Sequence, residues 1–465
     1  MPVQSKMIAV VGQQFGDEGK GKLVDALIQW AIRNYRRVIS CGANGGTNAG
    51  HTTYINGIPF HTHFLPTGVL TEGVIAYCGS SKVLEFMSFY NEYLKLSRYY
   101  HDLPERVFFS ENIQVTLIGH LIKELQNSKD KIGTTGKGIG ETYATQCDRF
   151  GLNLYQIMNY SDEQLIEHIR ELYSKSLSLE IGDKETVLYT IKYINDDGTT
   201  TEIDINEEIL FSCRYDLENI KRFRSIWKNI VPHSYFADVF LNNEDHCYIV
   251  EMSNAVMLDI TAGSIPYVTA SHCTPNAIPD SLGLNLSCKI IRNIEIYGVV
   301  KSYVTRVGKG ALPTEMKLSD PESAKIIVER GGEFGVTTGR ERTPAFMDLV
   351  ALGYSCRRSG ATKLDISRGD NLTHLDEVTV CIKYLDEKGE EIIHFPSLND
   401  KMLKVTPVYI TMPGWKDFDF STVRTFDDLH ENFKAYIAKI EEYTECEVTA
   451  VNTGKERDQI VFKKY

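Results

Sequence analysis

Between Gly12 and Lys22 the chain reads Gly-Gln-Gln-Phe-Gly-Asp-Glu-Gly-Lys-Gly-Lys. Gly16, Gly19 and Gly21 allow main-chain amides to turn into one concavity, and Lys20 and Lys22 add positive charge. A helix starting directly after the loop adds its positive end, which makes a cradle for phosphates. From Gly16 to Gly21-Lys22 the spacing follows the P-loop pattern, and then it departs. Leu23 stands where a Ser or Thr would hold Mg2+. A hard cation then needs another oxygen ligand, and Asp17 or Glu18 offers a carboxylate. A plain glycine turn with solvated charges is the alternative, but three glycines after a strand are costly to order without a ligand.

Three further segments carry similar chemistry. Asn48-Ala-Gly-His-Thr52 ends a second glycine-rich loop, Gly42 to Thr52, and puts His51 where an imidazole can act as acid or donor toward a phosphate. His61 and His63 read as structural, sharing one face of an extended segment. Gly133-Thr-Thr-Gly136 and Thr337-Thr-Gly-Arg-Glu-Arg342 read as anion cradles. Arg340 and Arg342 could clamp a carboxylate or phosphate, although an Arg-Glu-Arg run also occurs as a self-neutralising surface.

Elements must hold these loops. Met7 to Val11 is an apolar run ending at Gly12, and Leu23 to Ile32 has helical character. Strand, glycine loop, helix is the order found at the mouth of a parallel sheet. Val38 to Ser40, Val74 to Cys78, Cys247 to Met252, Ile294 to Thr305 and Glu447 to Val451 read as further strands. Helices are expected over Lys82 to Ser97, Leu117 to Asn127, Ser161 to Leu177 and Thr425 to Tyr443. Residues 185–194 and 199–205, joined by Asn195-Asp-Asp-Gly198, read as a hairpin in a surface insertion near 178–206. The expected class is α/β, with a large mostly parallel central sheet flanked by helices and small antiparallel additions. No repeat or long linker divides residues 1–465, so one large domain is expected.

Charge and cysteine usage exclude some functions. Fifty Lys and Arg against 62 Asp and Glu leave a net charge of −12, which argues against a nucleic-acid partner. Ten cysteines are scattered with no Cys-x-x-Cys pair, which fits reduced thiols in the cytoplasm better than disulfides or zinc. No signal peptide is evident at the N-terminus, and no apolar run approaches the ~18 residues that span a bilayer.

The ordered segments together resemble the adenylosuccinate synthetase family. They are Val10 to Lys22, Asn48 to Thr52, Ile132 to Gly140, Leu258-Asp-Ile260 with Pro266-Tyr-Val-Thr269, and Thr305-Arg-Val-Gly308 with Pro313-Thr-Glu315. Glu333 to Arg340, Met412-Pro-Gly-Trp415 and Asn452-Thr-Gly454 complete the set. The resemblance implies a GTP-dependent ligation of inosine monophosphate (IMP) and L-aspartate through a 6-phosphoryl intermediate, with Mg2+. Asp17 would be the general base and a metal ligand with the carbonyl of Gly50. His51 would donate to the departing GDP oxygen, and Lys20 would hold the phosphates. GTP contacts would come from Gly16, Glu18, Gly19, Lys20, Gly21, Lys22, Gly50, Thr52, Arg342, Arg368, Asp370, Asn452 and Gly454. IMP would meet Asp17, Asn48, Thr135, Asn254, Thr269 and Arg340. Arg149 of a second subunit would reach its phosphate, which implies a homodimer. Thr337, Thr338, Arg340 and Arg342 would bind aspartate.

The sequence departs from the family pattern in several places. The guanine-reading Lys-Leu-Asp is not plainly fixed at one place, since Lys363-Leu-Asp365 and His374-Leu-Asp376 both offer it with compensating gaps. Ungapped counting puts Arg368-Gly-Asp370 there, with Asp370 reading guanine and Arg368 stacking, while Asp365 and Asp376 are competitors. Glu251-Met-Ser-Asn-Ala255 replaces the usual Glu-Gly-Ala-Gln-Gly, so Asn254 stands for a longer glutamine. Glu141 replaces a proline, and Glu341 and Thr343 dilute the arginine run. Residues 178–206 hold most of an insertion of about two dozen residues relative to typical bacterial members. Two other readings compete. One is a variant synthetase for another purine monophosphate such as dGMP, favoured by Asn254 and opposed by retention of Asp17. The other is a non-catalytic nucleotide binder, which would have no use for Asp17, Lys20 and His51 together.

Overall fold

The computed structural model describes residues 3–128, 135–179, 186–195, 197–242, 244–317, 319–334 and 339–463. Ten strands form the central sheet. In chain order they are β1 (Lys6–Gly12), β2 (Arg37–Gly42), β3 (Ile75–Cys78), β4 (Val107–Ser110), β5 (Ile230–Val231), β6 (His246–Ala255), β7 (Glu295–Lys301), β8 (Lys363–Ser367), β9 (Glu447–Asn452) and β10 (Ile460–Phe462). Across the sheet the order is β5-β4-β3-β2-β6-β1-β7-β8-β9-β10. Every neighbouring pair is parallel except β9 with β10. Parallel strands are covered on both faces, which is why they read as unbroken apolar runs. Met7 to Val11 in β1 are all fully buried. The fold is thus the expected class, with small two- and three-stranded sheets added around the main one.

Six helices matter below: α1 (Lys20–Asn34), α2 (Ile139–Cys147), α3 (Arg214–Ile226), α4 (Pro321–Gly331), α5 (Leu349–Ser359) and α6 (Glu431–Thr444). The α1 helix starts three residues before the apolar pattern, because Gly19 turns the chain with a φ of 99° and frees Lys20 to enter the helix. Other boundaries shifted where a side chain captured backbone amides. The helix expected from Lys82 begins at Phe86. Its first residues form a short strand, Val83–Glu85, and the Glu85 carboxylate caps the amides of Met87 and Ser88. The helix expected from Thr425 begins at Glu431, since Thr425 instead closes a capping box over a short turn with Asp428. The strand expected through Thr305 ends at Lys301, and Val304–Arg306 leaves the sheet to pair with Thr343–Ala345.

The expected hairpin forms between Tyr189–Ile194 and Thr200–Ile205. One face of it is not surface. Ile191, Tyr193 and Ile205 are buried and join the apolar cluster that contains Phe89 and Phe223. Alternation along each strand separates this face from the solvated one. None of the described helices is long and apolar enough to cross a membrane. All ten cysteines are free thiols, with Cys147 the exposed one.

Candidate active site

The sequence-selected loops leave the carboxyl ends of six adjacent central strands. The loop Gln13–Gly19 follows β1, the Gly42–Gly50 loop follows β2, and Asn254 ends β6. Ser302 to Arg306 follows β7, Arg368 to Leu372 follows β8, and Thr453-Gly454 follows β9. The order β2-β6-β1-β7-β8-β9 makes these neighbours, and this edge of a parallel sheet is where ligands dock.

The first loop is fixed from within. Glu18 is 1% exposed, and its Oε1 accepts the amides of Gln14 (3.1 Å) and Gly16 (2.8 Å) while Oε2 takes Lys20 Nζ at 3.1 Å. A Cβ at Gly12 would lie 2.3 Å from the Glu18 carboxylate, so glycine is needed there to admit it. Any ligand contact from position 18 therefore falls to its main chain. Gln14 ties the loop to β7 through Lys301 and the Tyr303 carbonyl, and Ser367 Oγ ties it to β8 through the Glu18 carbonyl. Asp17 sits at the loop tip with a φ of 60°, and its side chain is 27% exposed.

Arg342 meets Asp17 from the far side. Its Nε donates to Asp17 Oδ2 at 2.9 Å, its Nη2 lies 2.8 Å from the same oxygen as an ion contact, and its Nη1 donates to Glu333 Oε2 at 2.6 Å. Glu333 is fully buried and also accepts from Lys301 Nζ (2.9 Å to Oε2) and the Tyr303 hydroxyl (2.6 Å to Oε1). Burial alone would push the Glu333 carboxyl up. The charges of Lys301, Arg342 and Arg368 and the Tyr303 hydroxyl outweigh it and bring it down to about 2. Burial lowers Lys301 below the usual ammonium range, with Glu333 as the main counterweight. Arg342 is thus a buried connector rather than part of a surface run. Arg340 is exposed, and Thr337 and Thr338 lie outside the described residues, as do Gly133 and Thr134 of the other cradle.

His51 is likewise placed by a buried acid. Its Nδ1 lies 2.9 Å from Glu251 Oε1, an ion contact outside the angles of a directed hydrogen bond. Glu251 also accepts the Thr67 amide and hydroxyl at 2.8 and 2.9 Å. Burial raises the Glu251 carboxyl, but His51 and these donors leave it below its ordinary value. Gly21 opens α1 to this group, since a Cβ there would sit 2.9 Å from the His51 Cβ. His61, exposed, bonds Thr52 across the hairpin at 2.9 Å, and His63 bonds the Ala49 carbonyl at 2.7 Å.

The residues selected for IMP are partly together. Asn48 Nδ2 donates to Thr269 Oγ1 at 3.3 Å, and Asn48 Oδ1 accepts the Gly46 amide. Asn44 locks Ser253 from both sides and so holds Asn254, which has a φ of 61° that asparagine tolerates. The loop carrying Thr269 is cinched by buried Asp259, which accepts the amides of Thr261, Ala262 and Cys273. Arg306 stacks on Phe15 at 4.6 Å and donates to the Tyr267 carbonyl, joining this loop to the first one. The α2 helix abuts the Gly42–Gly50 loop, with Tyr143 linking Ser81 and the Gly45 amide. Thr135 and Arg149 are exposed on either side of α2.

Lys22 departs from the expected phosphate contact. Its ammonium turns toward the C-terminal turn and donates to the carbonyls of Gly454 (2.6 Å) and Gln459 (2.7 Å). Burial lowers it to about 8, against the nearby charges of Asp365, Asp370 and Asp458. Of the three guanine-reader candidates, Asp376 is exposed and paired with Lys416. Asp365 is buried inside β8, bonded to Asn452 Nδ2 at 2.8 Å, and pushed up to about 6 by burial. Asp370, half-buried in the short turn Gly369–Leu372, stands at the sheet edge. Sequence reasoning quoted Glu251, Arg306 and Glu333 within motifs but gave them no role, and it missed Lys301 and Tyr303. The available signal was a charged residue set inside an apolar stretch, as in Tyr-Gly-Val-Val-Lys301.

The fold and this edge define an α/β protein with a glycine-rich cradle suited to anions beside paired acid–base groups. Comparison narrows the class. The family model for adenylosuccinate synthetase matches residues 9–461. An adenylosuccinate synthetase of Candida glabrata is 35% identical, the match covering 98% of this chain and 99% of that one. One from Chlorobium phaeobacteroides is 33% identical, covering 99% and 98%. The fully ligated adenylosuccinate synthetase of Plasmodium falciparum superposes with a TM-score of 0.82 at 29% identity, over 98% of this chain and 99% of that one. The chain belongs to the adenylosuccinate synthetase family. A succinoaminodeoxyadenylate synthetase of cyanophage S-2L, bound to dGMP and dATP as an energy donor, shares the fold at 16% identity and a TM-score of 0.57.

Proposed function

We propose that this enzyme joins IMP and L-aspartate into adenylosuccinate while GTP is converted to GDP and phosphate, through 6-phosphoryl-IMP. The supporting observation is the convergence of Asp17, Lys20, His51 and Arg342 at one sheet edge, with His51 and Arg342 each held by a buried carboxylate. In this reading Asp17 takes the N1 proton of IMP, so that O6 attacks the γ-phosphate. His51, anchored by Glu251, donates to the leaving GDP oxygen, and Lys20 and Arg342 supply positive charge around the transferring group. Such a transfer depends on positioning and charge more than on covalent help. Aspartate then displaces the 6-phosphate, with its carboxylates received by Thr337, Thr338 and Arg340.

The donor set fits Mg2+. Both described contacts to Asp17 fall on Oδ2, which leaves Oδ1 as a hard oxygen donor, and the carbonyl of Gly50 is the second protein donor in this reading. Among the described residues no cluster of three ionisable ligands exists. Mg2+ needs none, because it takes most of its ligands from phosphates and water. Bound there, the ion would neutralise phosphate charge. Asp370 with Arg368 would read guanine, with Lys22 bracing the turn at Gly454. Arg149, exposed at the end of α2, suits a contact with a second subunit's IMP and hence a homodimer.

Phosphate release is measured with IMP, GTP and aspartate, each omitted in turn. Turnover requiring all three is expected. Equal or better turnover with dGMP in place of IMP would overturn the assignment in favour of the variant that Asn254 admits.

A further inference from the structure

We propose that Lys82 is a positioning residue for His51, acting through the buried Glu251 carboxylate beside it and through the chain segment that returns from the His51 hairpin. The proposal rests on the reading of His51 as the donor to the departing GDP oxygen.

Lys82 stands just ahead of the short strand Val83–Glu85 and is buried, with 3% of it exposed. Gly42 makes room for its side chain, since a Cβ there would lie 3.2 Å from both Cδ and Nζ of Lys82. Gly42 is also the register partner of Glu251 between the parallel strands β2 and β6. Paired residues of parallel strands point to the same face of a sheet. The ammonium therefore takes the place beside the Glu251 side chain that a larger residue at 42 would fill. The main chain here is held against the second glycine-rich loop, with the Val83 amide on the Gly45 carbonyl at 2.9 Å. Lys82 Nζ donates to the Asn44 carbonyl of the same loop at 3.3 Å.

The return segment, His63 to Thr67, is tied at both ends to buried acids and in the middle to the same ammonium. Glu92 accepts the amides of His63 (3.0 Å), Phe64 (2.8 Å) and Leu65 (3.1 Å). Glu251 accepts the Thr67 amide and hydroxyl, and Lys82 Nζ lies 4.8 Å from the centroid of the Phe64 ring. The segment continues directly from Thr62, the residue paired with His51 in the hairpin. Main chain and ring of His51 are thus both set by groups that surround Lys82. Burial lowers the Lys82 ammonium, while Cys78, Glu251 and Glu92 pull the other way.

Two carboxylates this deep need a lasting positive charge. As donor, His51 gives up its proton, so it cannot be that charge for Glu251 throughout, and the Thr67 groups are only dipoles. Lys82 takes no part in the transfer and acts on both acids. Without it, Glu251 settles on its remaining donors, and the imidazole it holds at 2.9 Å moves with it. A displacement of about 1 Å in a proton donor costs rate rather than affinity.

The test assays the full chain with IMP, GTP and aspartate, measuring kcat and KM for wild type, Lys82→Met, His51→Asn and the double variant. Lys82→Met is expected to lower kcat about tenfold with KM for GTP within about twofold, and the double variant to lose no more than His51→Asn alone. Wild-type kcat in Lys82→Met, losses that add in the double variant, or a loss confined to KM overturn the proposal. Should Lys82→Met fail to fold, Lys82→Gln replaces it, which removes the charge but keeps a donor for the Asn44 carbonyl. The same kcat loss is expected there, and wild-type kcat overturns the coupling. If His51→Asn retains wild-type kcat, the donor reading falls and this proposal with it, whereas impairment of His51→Asn alone overturns only the part assigned to Lys82.

Discussion

Removing the Glu333 charge while keeping its shape isolates what this buried acid does for the fold. Its carboxyl is lowered from 4.5 to about 2, which corresponds to ~3 kcal/mol in favour of the ionised native state. A depressed carboxylate stabilises above its unfolded value, and that contribution is lost as pH falls from 4.5 through about 2. Glu333→Gln leaves Lys301 and Arg342 without their shared counter-charge, and breaking a buried pair in this way costs ~3–5 kcal/mol, which agrees in size. The expected gap between wild type and variant is therefore about 3 kcal/mol at pH 7 and about 1.5 kcal/mol at pH 3. Urea unfolding followed by tryptophan fluorescence reads it, because Trp415 is fully buried in the same apolar cluster as Tyr303. If unfolding is irreversible in a chain of this size, unfolding rates give the same comparison. A gap below about 1 kcal/mol at pH 7, or one that does not shrink at pH 3, would refute the assignment of Glu333 as the ionised hub.

The remaining predictions concern the loop and its partners. Asp17→Asn should lower turnover at least ~10²-fold if the carboxylate is the general base, and near wild-type rates would remove it from that role. Arg149→Leu should chiefly weaken IMP binding, and mixing it with Asp17→Asn protein should recover activity. No recovery in a confirmed heterodimer would exclude shared sites. Lys22, lowered from 10.5 to about 8, holds its proton less tightly folded than unfolded, so wild type should gain on Lys22→Met as pH rises through that window. The gain between pH 7.5 and 9.5 is about 2 kcal/mol, and a flat difference in urea midpoints would show that the ammonium is not buried as described.

Much of the fold is legible because parallel strands buried on both faces leave unbroken apolar runs, as at Met7 to Val11. Strand order is not, since β6 inserts between β1 and β2 although more than 200 residues of chain separate β2 from it. Helix starts were misread where a side chain set a later start: Glu85 caps the first turn at Met87 and Ser88, and Asp428 takes the amides of Arg424 and Thr425 ahead of the helix. At the site, types and spacing marked the loops and the groups at their tips. They did not show which charges face the ligand. Lys20 and Lys22 look equivalent in sequence, but helical rotation sends the second to the Gly454 carbonyl. Asp365 and Asp370 differ by five positions, yet one is enclosed within a strand and the other stands past its end.

What the sequence conceals most is the role of the acids. Three glutamates, Glu18, Glu251 and Glu333, are almost fully buried at this edge of the sheet. A carboxylate in such a place costs several kcal/mol unless every oxygen is matched. Here each one is matched by a group with chemistry to do or by the loop itself: Lys20 with the loop amides, His51 with Thr67, and Arg342 with Lys301 and Tyr303. The Glu18 side chain therefore anchors the loop rather than reaching out of it, which leaves a nucleotide contact at this position to its main chain. The same logic explains the missing hydroxyl at Leu23. A conventional P-loop fixes its cation from the first turn of the helix. In this chain that turn, Lys20 to Leu23, holds no hydroxyl, and the partly exposed carboxylate lies at Asp17, held from behind by Arg342 and, through it, by Glu333. A carboxylate restrained at one oxygen and open at the other is prepared to take a proton or a metal without reorganising, and that preparation is where the stability spent on three buried acids returns as function.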